Sequence, residues 1–363
     1  MQTDVLIIGG GPAGLATAIA ARAKGLRVTV VDSRTPPIDK ACGEGLLPEA
    51  VSALRSLGFD FDPAVSIPFT GIRFSDGDSS ASARFGRGTA FGLRRTALHR
   101  LLIHRASETG VSLLWGARAS FDFAGARVNG DWLRCRWLIG ADGQRSSVRK
   151  LAGLEPRRRA RSRFGFRRHY AIAPWTDLVE VHWGERCQMV VTPTGAQEVC
   201  VSLFASDPRL RMDRALARFP EVARHLQGAH PVSAQAGAVT SLGRARAVAR
   251  GNVALVGDAS CTVDGIAGQG ISLAFHQALA LAEALGREDL AHYESAHRRI
   301  TQTAARITRL LLLMNASTAL RRKALRLFAT RPKVFAKMIS IHAGEVAPGA
   351  AGILDLGWRI LWT

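Results

Sequence analysis

The feature that most constrains the fold is a glycine-rich turn at the start of the chain. Gly9, Gly11 and Gly14 follow the apolar run at 3–8 and open an alanine-rich segment at 12–24. In this setting the first glycine permits a tight turn, the second lets the backbone approach a diphosphate, and the third lets helix and strand pack closely. With the next apolar run (LRVTVV), the pattern predicts a strand–helix–strand unit that binds a dinucleotide.

The turn also predicts where the dinucleotide lies. Its diphosphate is expected on the first helical turn, at Pro12 and Ala13, because free N–H groups and the helix dipole favour negative charge there. Asp32 ends the second apolar run, 18 residues after Gly14, where an acid accepts hydrogen bonds from a ribose. We expect Asp32 and its neighbours Ser33 and Arg34 to line the site.

Composition indicates a globular protein with a sizeable core. The 363 residues are 47% hydrophobic and 21% charged, which argues against a disordered chain. Five widely spaced cysteines favour neither a disulfide framework nor a zinc site, so no metal is expected. The first residues do not form a signal peptide, and no apolar run approaches the ~20 residues of a membrane span. A cytoplasmic protein is therefore expected.

The charge balance is strongly basic. Lys and Arg number 49 against 29 Asp and Glu, giving a formal net charge of +20. Such a field attracts anionic cofactors, phosphorylated substrates or acidic lipid. The sequence has no zinc-finger spacing, basic zipper or aromatic RNA-binding signature, so no nucleic-acid partner is expected.

Two further motifs identify the dinucleotide by resemblance. The segment 135–149 (CRWLIGADGQRSSVR) resembles the Gly-Ala-Asp-Gly motif of flavin-dependent hydroxylases, and 257–270 (GDASCTVDGIAGQG) resembles the Gly-Asp motif of the same superfamily. Together the three motifs resemble the p-hydroxybenzoate hydroxylase fold, a superfamily of class A flavin monooxygenases, geranylgeranyl reductases and flavin halogenases. The resemblance implies bound FAD.

The resemblance also implies which residues contact FAD. Asp258 matches a residue that bonds the ribityl chain, and the helix beginning near Gly270 would point its N-terminus at the flavin, which carries negative charge when reduced. Arg95 resembles an arginine that approaches the cofactor, and Ala119 falls where a strand contacts adenine. The remaining implied contacts are Cys42, Gly43, Ala141, Asp142, Gly143, Gly257, Gly265, Gly268, Gln269 and Ile271.

One loop indicates a branch of the superfamily. Residues 39–48 (DKACGEGLLP) are similar to the Cys-Gly-Gly/Glu loop that geranylgeranyl-reductase-like and some halogenase-like members place beside the flavin. Cys42 is therefore a candidate catalytic residue facing the flavin, with a buried, inert cysteine as the alternative. Glu44 is a candidate proton donor or a residue that only holds the loop. Cys261 and Gly265 stand where aromatic hydroxylases usually have His and Pro.

The predicted fold class is α/β with an α+β insert: a Rossmann-like FAD-binding domain, an inserted antiparallel substrate sheet and C-terminal helices. The FAD-binding parts are expected at 1–70, 91–160 and 235–300, the substrate-sheet strands at 71–90, the substrate domain at 161–234 and the helical region at 301–363. Within the substrate domain we expect four strands between 163 and 204 and a helix at 212–226. The inserted sheet would roof a substrate cavity, where His169 and His182 are candidates for orienting a substrate hydroxyl.

The C-terminal stretch from 306 to 363 mixes Leu, Ile, Phe and Trp with Arg and Lys at helical spacing. Two interpretations stay open. The stretch is either a helical lid packed on the FAD-binding domain or a basic amphipathic surface for peripheral membrane contact, with Trp358 and Trp362 at the interface.

The resemblance implies an FAD-dependent oxidoreductase. We expect an NAD(P)H-dependent monooxygenase that uses O2, through a flavin C4a-hydroperoxide, to hydroxylate an apolar aromatic or polyketide-like molecule. The protein would exclude water and position the substrate, and NAD(P)H would bind transiently because no second dinucleotide fingerprint is present. The alternatives are a reductase of prenyl double bonds, a flavin-dependent halogenase and a non-catalytic flavoprotein.

Overall fold

An eight-stranded and a seven-stranded sheet organise the chain. The computed structural model describes residues 2–62, 64–156 and 162–346. The basic residues at 157–161 and the predicted interfacial residues Trp358 and Trp362 lie outside the described residues.

The described elements are as follows. The strands are β1 (Gln2–Ile8), β2 (Val28–Asp32), β3 (Gly45–Leu46), β4 (Ile67–Phe69), β5 (Gly71–Ser75), β6 (Ser80–Arg84), β7 (Ala90–Gly92), β8 (Ser112–Trp115), β9 (Ala119–Asp122), β10 (Gly125–Val128), β11 (Asp131–Gly140), β12 (Arg163–Tyr170), β13 (Leu178–Gly184), β14 (Cys187–Gly195), β15 (Glu198–Ala205), β16 (Ala236–Thr240), β17 (Gly243–Arg244), β18 (Ala249–Arg250), β19 (Val253–Leu255) and β20 (Cys261–Thr262). The helices are α1 (Pro12–Arg22), α2 (Pro48–Ser56), α3 (Arg95–Glu108), α4 (Ser147–Leu151), α5 (Met212–Leu216), α6 (Pro220–His225), α7 (Gly270–Gly286), α8 (Leu290–Ala316), α9 (Thr318–Thr330) and α10 (Pro332–His342).

The eight-stranded sheet has the order β18-β19-β11-β1-β2-β8, and β10 and β9 extend it from β11. The strands from β19 to β8 run parallel. Helices α1, α3 and α7 cover one face, while β9, β10 and α4 cover the other. Because both faces are buried, the central parts of β1 and β2 are mostly apolar and rich in β-branched residues.

The seven-stranded sheet has the order β16-β12-β15-β14-β13-β5-β6 and is antiparallel except between β13 and β5. Helices α8, α9 and α10 pack on its β5–β6 end. The chain therefore leaves the eight-stranded sheet for β5 and β6, returns to it, and leaves again for β12 to β16. This arrangement confirms the predicted fold class.

Three findings refine the sequence predictions. The helix predicted at 212–226 is two short helices, because Phe219 leaves the helical region (φ −130°, ψ 70°) and Pro220 starts a new helix. Strand β16 belongs to the seven-stranded sheet, although the prediction assigned 235–300 to the FAD-binding part. None of the helices within the described ranges is long and apolar enough to cross a bilayer.

Candidate active site

A cavity of about 670 Å³ runs between the two large sheets. This volume lies within the roughly 300–1,000 Å³ of ligand pockets. One part is polar and rich in glycine, and the other part is apolar. Most of the predicted cofactor-binding residues line the cavity: Gly9, Gly11, Pro12, Ala13, Asp32, Ser33, Arg34, Cys42, Gly43, Arg95, Ala119, Ala141, Asp142, Gly143, Gly257, Asp258, Gly265, Gly268, Gly270 and Ile271.

The turn between β1 and α1 leaves backbone donors free at the cavity. Gly11 caps α1 without a side-chain hydrogen bond, so the first N–H groups of the helix are available to a ligand. Gly14 lies behind the turn, where a Cβ would stand 1.9 Å from the carbonyl oxygen of Gly9. It has the predicted packing position and does not line the cavity. Asp32 braces the turn, because its Oδ2 accepts from the N–H of Gly10 at 2.8 Å.

A second turn, after β19, reaches the same part of the cavity. Gly257 has φ +62° and packs so closely on α1 that a Cβ would stand 2.6 Å from the Cβ of Ala13. Both the left-handed backbone and the close approach require glycine. Asp258 follows and forms an ion pair with Lys40, at 2.6 Å between Oδ2 and Nζ.

The N-terminus of α7 completes the polar part. Gly268 and Gly270 line the cavity there. The N-cap residue Gln269 makes no side-chain cap, so the first N–H groups of this helix also remain available. The Gln269 side chain does not line the cavity and instead donates to the carbonyl oxygen of His342 at 2.9 Å.

Two buried polar atoms in the polar part of the cavity have no hydrogen-bond partner within the described part of the chain. They are Oδ1 of Asp142 and Nε of Arg95. The other carboxylate oxygen of Asp142 already accepts from the N–H of Ser147 at 2.6 Å. A Cβ at Gly11 would enter open cavity space, where the motif leaves room for a diphosphate. The free donors, the free acceptor and the open space fit FAD, the cofactor that the motifs imply.

A buried hydrogen-bond network holds the segment from Asp39 to Glu44, here called the Cys42 loop. Oε1 of Glu44 accepts from the N–H of Arg95 at 3.0 Å, and its Oε2 lies 2.6 Å from Nε2 of His169. Arg167 donates to Asp39 at 2.5 Å, and its Nε lies 3.8 Å from Oε1 of Glu44. Arg167 and His169, both on β12, thus anchor the two ends of the loop.

The contacts of His169 fix its tautomer. Its Nδ1 lies 3.2 Å from Nη1 of Arg167 and 2.9 Å from Oγ of Ser233. Because a guanidinium only donates, Nδ1 accepts and Nε2 carries the proton that is donated to Glu44. His169 does not line the cavity, contrary to its predicted role with a substrate hydroxyl, because its imidazole is turned to Glu44.

The same cluster resembles a metal site only in its residue types. Glu44, His169 and Cys200 offer three potential ligand atoms within 4.8 Å of one another. Glu44 and His169 are already bonded to each other, and the guanidinium of Arg167 adds a positive charge that disfavours a cation. We therefore interpret the cluster as the support of the Cys42 loop.

The cysteines of this region keep their protons. Burial raises the pKa of the Cys42 thiol, and it raises the pKa of Cys200 well above the ordinary value. The N–H of Glu44 points at Sγ of Cys42 at 3.4 Å. Cys42 lines the cavity as a neutral thiol, so it holds a proton at neutral pH and is poorly suited to act as a nucleophile.

The apolar part of the cavity, here called the chamber, has mostly aliphatic walls. Strands β5, β13 and β14 form one side, and α8 and α10 form another. Its apolar lining comprises Leu47, Phe69, Ile72, Phe74, Phe166, Val179, Val181, Val190, Phe204, Val239, Ile266, Ile307, Leu311, Met338 and Ile339. His182 lies elsewhere, 3.2 Å from Glu180. The chamber instead contains His342, whose pKa burial lowers to about 4, so that its imidazole is neutral at pH 7.

Comparison with known proteins decides the family. The sequence profile of the family described as FAD binding domain matches residues 2–307. The chain belongs to this family. The flavoprotein is thus an FAD-dependent oxidoreductase, which confirms the prediction for the cofactor FAD and for the class of enzyme. The use of NAD(P)H stays a prediction.

Three proteins that are similar to this chain carry names that refer to different activities. A menaquinone reductase from Mycobacterium tuberculosis is 30% identical over 319 residues, which cover 80% of the flavoprotein and 78% of that relative. The ubiquinone hydroxylase UbiL of Rhodospirillum rubrum is 27% identical, with coverage of 78% and 72%. The solved structure of the flavin-dependent brominase Bmp2 superposes with a TM-score of 0.85 at 19% identity and covers 99% of the flavoprotein and 98% of its own chain.

Sequence reasoning missed the role of β12 in the site. Arg163, Arg167 and His169 alternate on the inward side of this strand and are all buried. Arg163 forms an ion pair with Asp264 at 2.6 Å, beneath the turn that leads to α7. Strand parity was the available signal, because residues two apart share a face.

Proposed function

We propose that the flavoprotein is an NAD(P)H-dependent monooxygenase that hydroxylates an apolar molecule with an aromatic or quinone ring and an aliphatic extension. The observation that supports this proposal is the chamber, whose aliphatic walls adjoin the glycine-rich FAD site. An apolar space disfavours water around a reactive intermediate and holds a substrate through its apolar surface.

The geometry and the family resemblance together support an assignment of the residues that would hold FAD. The N-terminus of α1 at Gly11 would receive the diphosphate, Asp32 a ribose, and Asp258 the ribityl chain. The N-terminus of α7 and the guanidinium of Arg95 would stabilise negative charge on the reduced ring. When bound and reduced, FAD would supply the electrons that activate O2.

The chain's own contribution to the reaction would be positioning and the exclusion of water. Ile307 and Leu311 from α8, with Met338 and Ile339 from α10, form one wall of the chamber. Thr192 and the neutral His342 offer hydrogen bonds to a ring oxygen without adding charge. Lys40 forms an ion pair with Asp258 at the polar end, so it would exchange partners when a ribityl hydroxyl binds there.

The names of two relatives support a quinone as the substrate class. The relative from Mycobacterium tuberculosis is named a menaquinone reductase, and that from Rhodospirillum rubrum a ubiquinone hydroxylase. Both names refer to a quinone. A chamber with aliphatic walls suits the apolar tail that such a molecule carries.

A second candidate is the reduction of a double bond in an isoprenoid tail. The observation that favours it is Cys42, a thiol that lines the cavity and keeps its proton because burial raises its pKa. In this reaction the carbon that does not receive hydride takes a proton, and Cys42 would donate it. The hydroxylation requires no such proton donor at this position.

One experiment separates the two candidates. FAD-loaded protein is incubated with NADPH or NADH and a short-chain menaquinone, either under ¹⁸O2 or under argon. The masses of the products are then measured by mass spectrometry. A product that gains one labelled oxygen, and that Cys42→Ser still forms, supports the monooxygenase. A product that gains two hydrogens in its tail under argon, that keeps them after the quinone ring is reoxidised in air, and that Cys42→Ser fails to form, supports the reductase. If neither product forms from menaquinone or from other apolar aromatic substrates, both proposals fail.

A further inference from the structure

The positive charge of the protein is concentrated in its last described helices. Residues 295–344 contain eleven Arg and Lys and no Asp or Glu. This stretch therefore carries more than half of the formal net charge of +20 within 50 residues. Arginine and lysine residues spread evenly over the chain would not produce this local excess of positive charge.

Most of these cations face water without an acidic partner. Arg298, Arg321 and Arg322 pair with Glu294, Asp76 and Asp78. The others are exposed, and none has a carboxylate within 4 Å in the described ranges 2–62, 64–156 and 162–346. They are Arg299, Arg306, Arg309, Lys323, Arg326, Arg331, Lys333 and Lys337.

Four of them form one surface, here called the basic face: Lys323, Arg326, Lys333 and Lys337. Helices α9 and α10 pack side by side against the same strand, β6. Their apolar sides, which include Phe328 and Phe335, are buried there in one cluster. Because both helices are buried on the side of β6, their charged sides face outward in the same direction.

An apolar side chain accompanies the cations. Leu313, in the last turns of α8, is 58% exposed, more than any other large apolar side chain in the described residues. The helix continues almost directly into α9, which begins at Thr318. Arg306 and Arg309 are exposed on the same helix, so apolar and basic groups lie together at this edge of the molecule.

The same helices wall the chamber on their inner sides. Ile307 and Leu311 of α8, with Met338 and Ile339 of α10, line the cavity. The outer surface is therefore separated from the chamber by about one helix diameter, roughly 10 Å.

We propose that α8, α9 and α10 dock on an anionic lipid bilayer, with the basic face on the headgroups and Leu313 in the interface. Basic amphipathic surfaces bind anionic lipid through electrostatic attraction and also through the burial of apolar area. A bilayer is favoured over a nucleic acid because the exposed leucine gains nothing from phosphates. The further step, that an apolar substrate passes from the bilayer into the chamber, rests on the proposed function; the docking itself does not.

The test is flotation of the FAD-loaded full chain with lipid vesicles, without substrate. We expect binding to vesicles that contain phosphatidylglycerol, loss of binding at about 1 M salt, where the Debye length falls to ~3 Å, and little binding to pure phosphatidylcholine. The variant K333E/K337E should bind at least roughly 30-fold more weakly than the parent. Leu313→Ser should bind roughly fivefold more weakly.

The matched control is R100E/R134E, which changes the same charge at two exposed arginines of the FAD-binding domain. It should bind within about twofold of the parent, and circular dichroism and bound FAD should be equal in all variants. Absence of flotation at low salt, or equal losses in both double variants, overturns the proposal. Binding of duplex DNA that K333E/K337E abolishes, without binding to vesicles, would assign the face to a nucleic acid instead. Since no turnover is measured, a failed docking test and a failed activity test remain distinguishable.

Discussion

At the scale of single residues, Glu44 is the most constrained side chain of the site. Its φ of +59° is one that residues other than glycine rarely adopt, and such strain costs about 1 kcal/mol or more. Its carboxylate offsets that cost by accepting from the N–H of Arg95 and bonding to His169. Of the two roles predicted for Glu44, these contacts favour the one in which it holds the Cys42 loop.

Glu49, near the start of α2, is a carboxyl group whose charge the fold disfavours. Burial raises its pKa from 4.5 to about 7, so the native state binds the proton more tightly than the unfolded chain does. Its contribution to stability is therefore full below about pH 4.5 and is lost as the pH rises towards 7.

We expect Glu49→Gln to increase the free energy of unfolding at pH 8. This increase should be about 2 kcal/mol larger at pH 8 than at pH 5. Urea unfolding at the two pH values measures both quantities. Glu185→Gln, at an exposed turn, is the matched control and should show no such difference. An equal effect of Glu49→Gln at both pH values would contradict the assignment.

At the scale of elements, β12 connects the two loops that meet at the FAD site. Through Arg163 it holds Asp264, beneath the turn before α7, and through Arg167 it holds both ends of the Cys42 loop. Arg163 and Arg167 are both nearly inaccessible to water. Breaking a buried ion pair by removing one partner leaves the other charge uncompensated, which costs about 3–5 kcal/mol.

The neighbouring arginines of β12 allow a matched comparison. Arg167→Met should lower the free energy of unfolding by about 3 kcal/mol and weaken FAD binding. Arg168→Met removes a pair with the largely exposed Asp213 and should cost less than about 1 kcal/mol. Urea unfolding and the FAD content of the purified proteins measure both effects. Equal, small losses in the two variants would show that β12 does not support the loop.

The elements could be predicted where local pattern decides them. Strands β1 and β12 and helix α7 follow from apolar runs, alternation and glycine positions, and the three FAD motifs lie along one cavity. The helix predicted across Pro220 was wrong, because the cost of a proline inside a helix outweighs the apolar period around it. The direction of His169 could not be predicted, since it depends on Glu44, which is 125 residues away in the chain.

At the scale of the whole molecule, the two ends of the cavity come from different parts of the chain. The glycine-rich turns of the eight-stranded sheet form the FAD end, while the seven-stranded sheet and the last helices form the chamber. The contribution of α8 and α10 could not be predicted, because a helix with one apolar stripe is equally suited to pack on protein or on lipid. In this molecule the inner sides of these helices pack on protein.

Neighbouring leucines of α8 test whether the chamber holds the substrate. Leu311 lines the chamber and Leu313 is exposed to water. Under the proposed function, Leu311→Trp should fill the space and lower product formation about tenfold or more, with FAD content unchanged. Leu313→Trp, assayed with detergent-solubilised substrate, should keep the activity of the parent. Product formation at the parent rate in Leu311→Trp would exclude the chamber as the substrate site.

The position of the chamber wall in the chain bears on how such enzymes diverge. The match to the FAD-binding family ends at residue 307, within α8, and Leu311, Met338, Ile339 and His342 all come after it. The residues of this wall can therefore change in evolution independently of the residues of the cofactor site. A duplicated gene can acquire a new substrate by mutation or recombination in its final segment, while the flavin chemistry passes on unaltered.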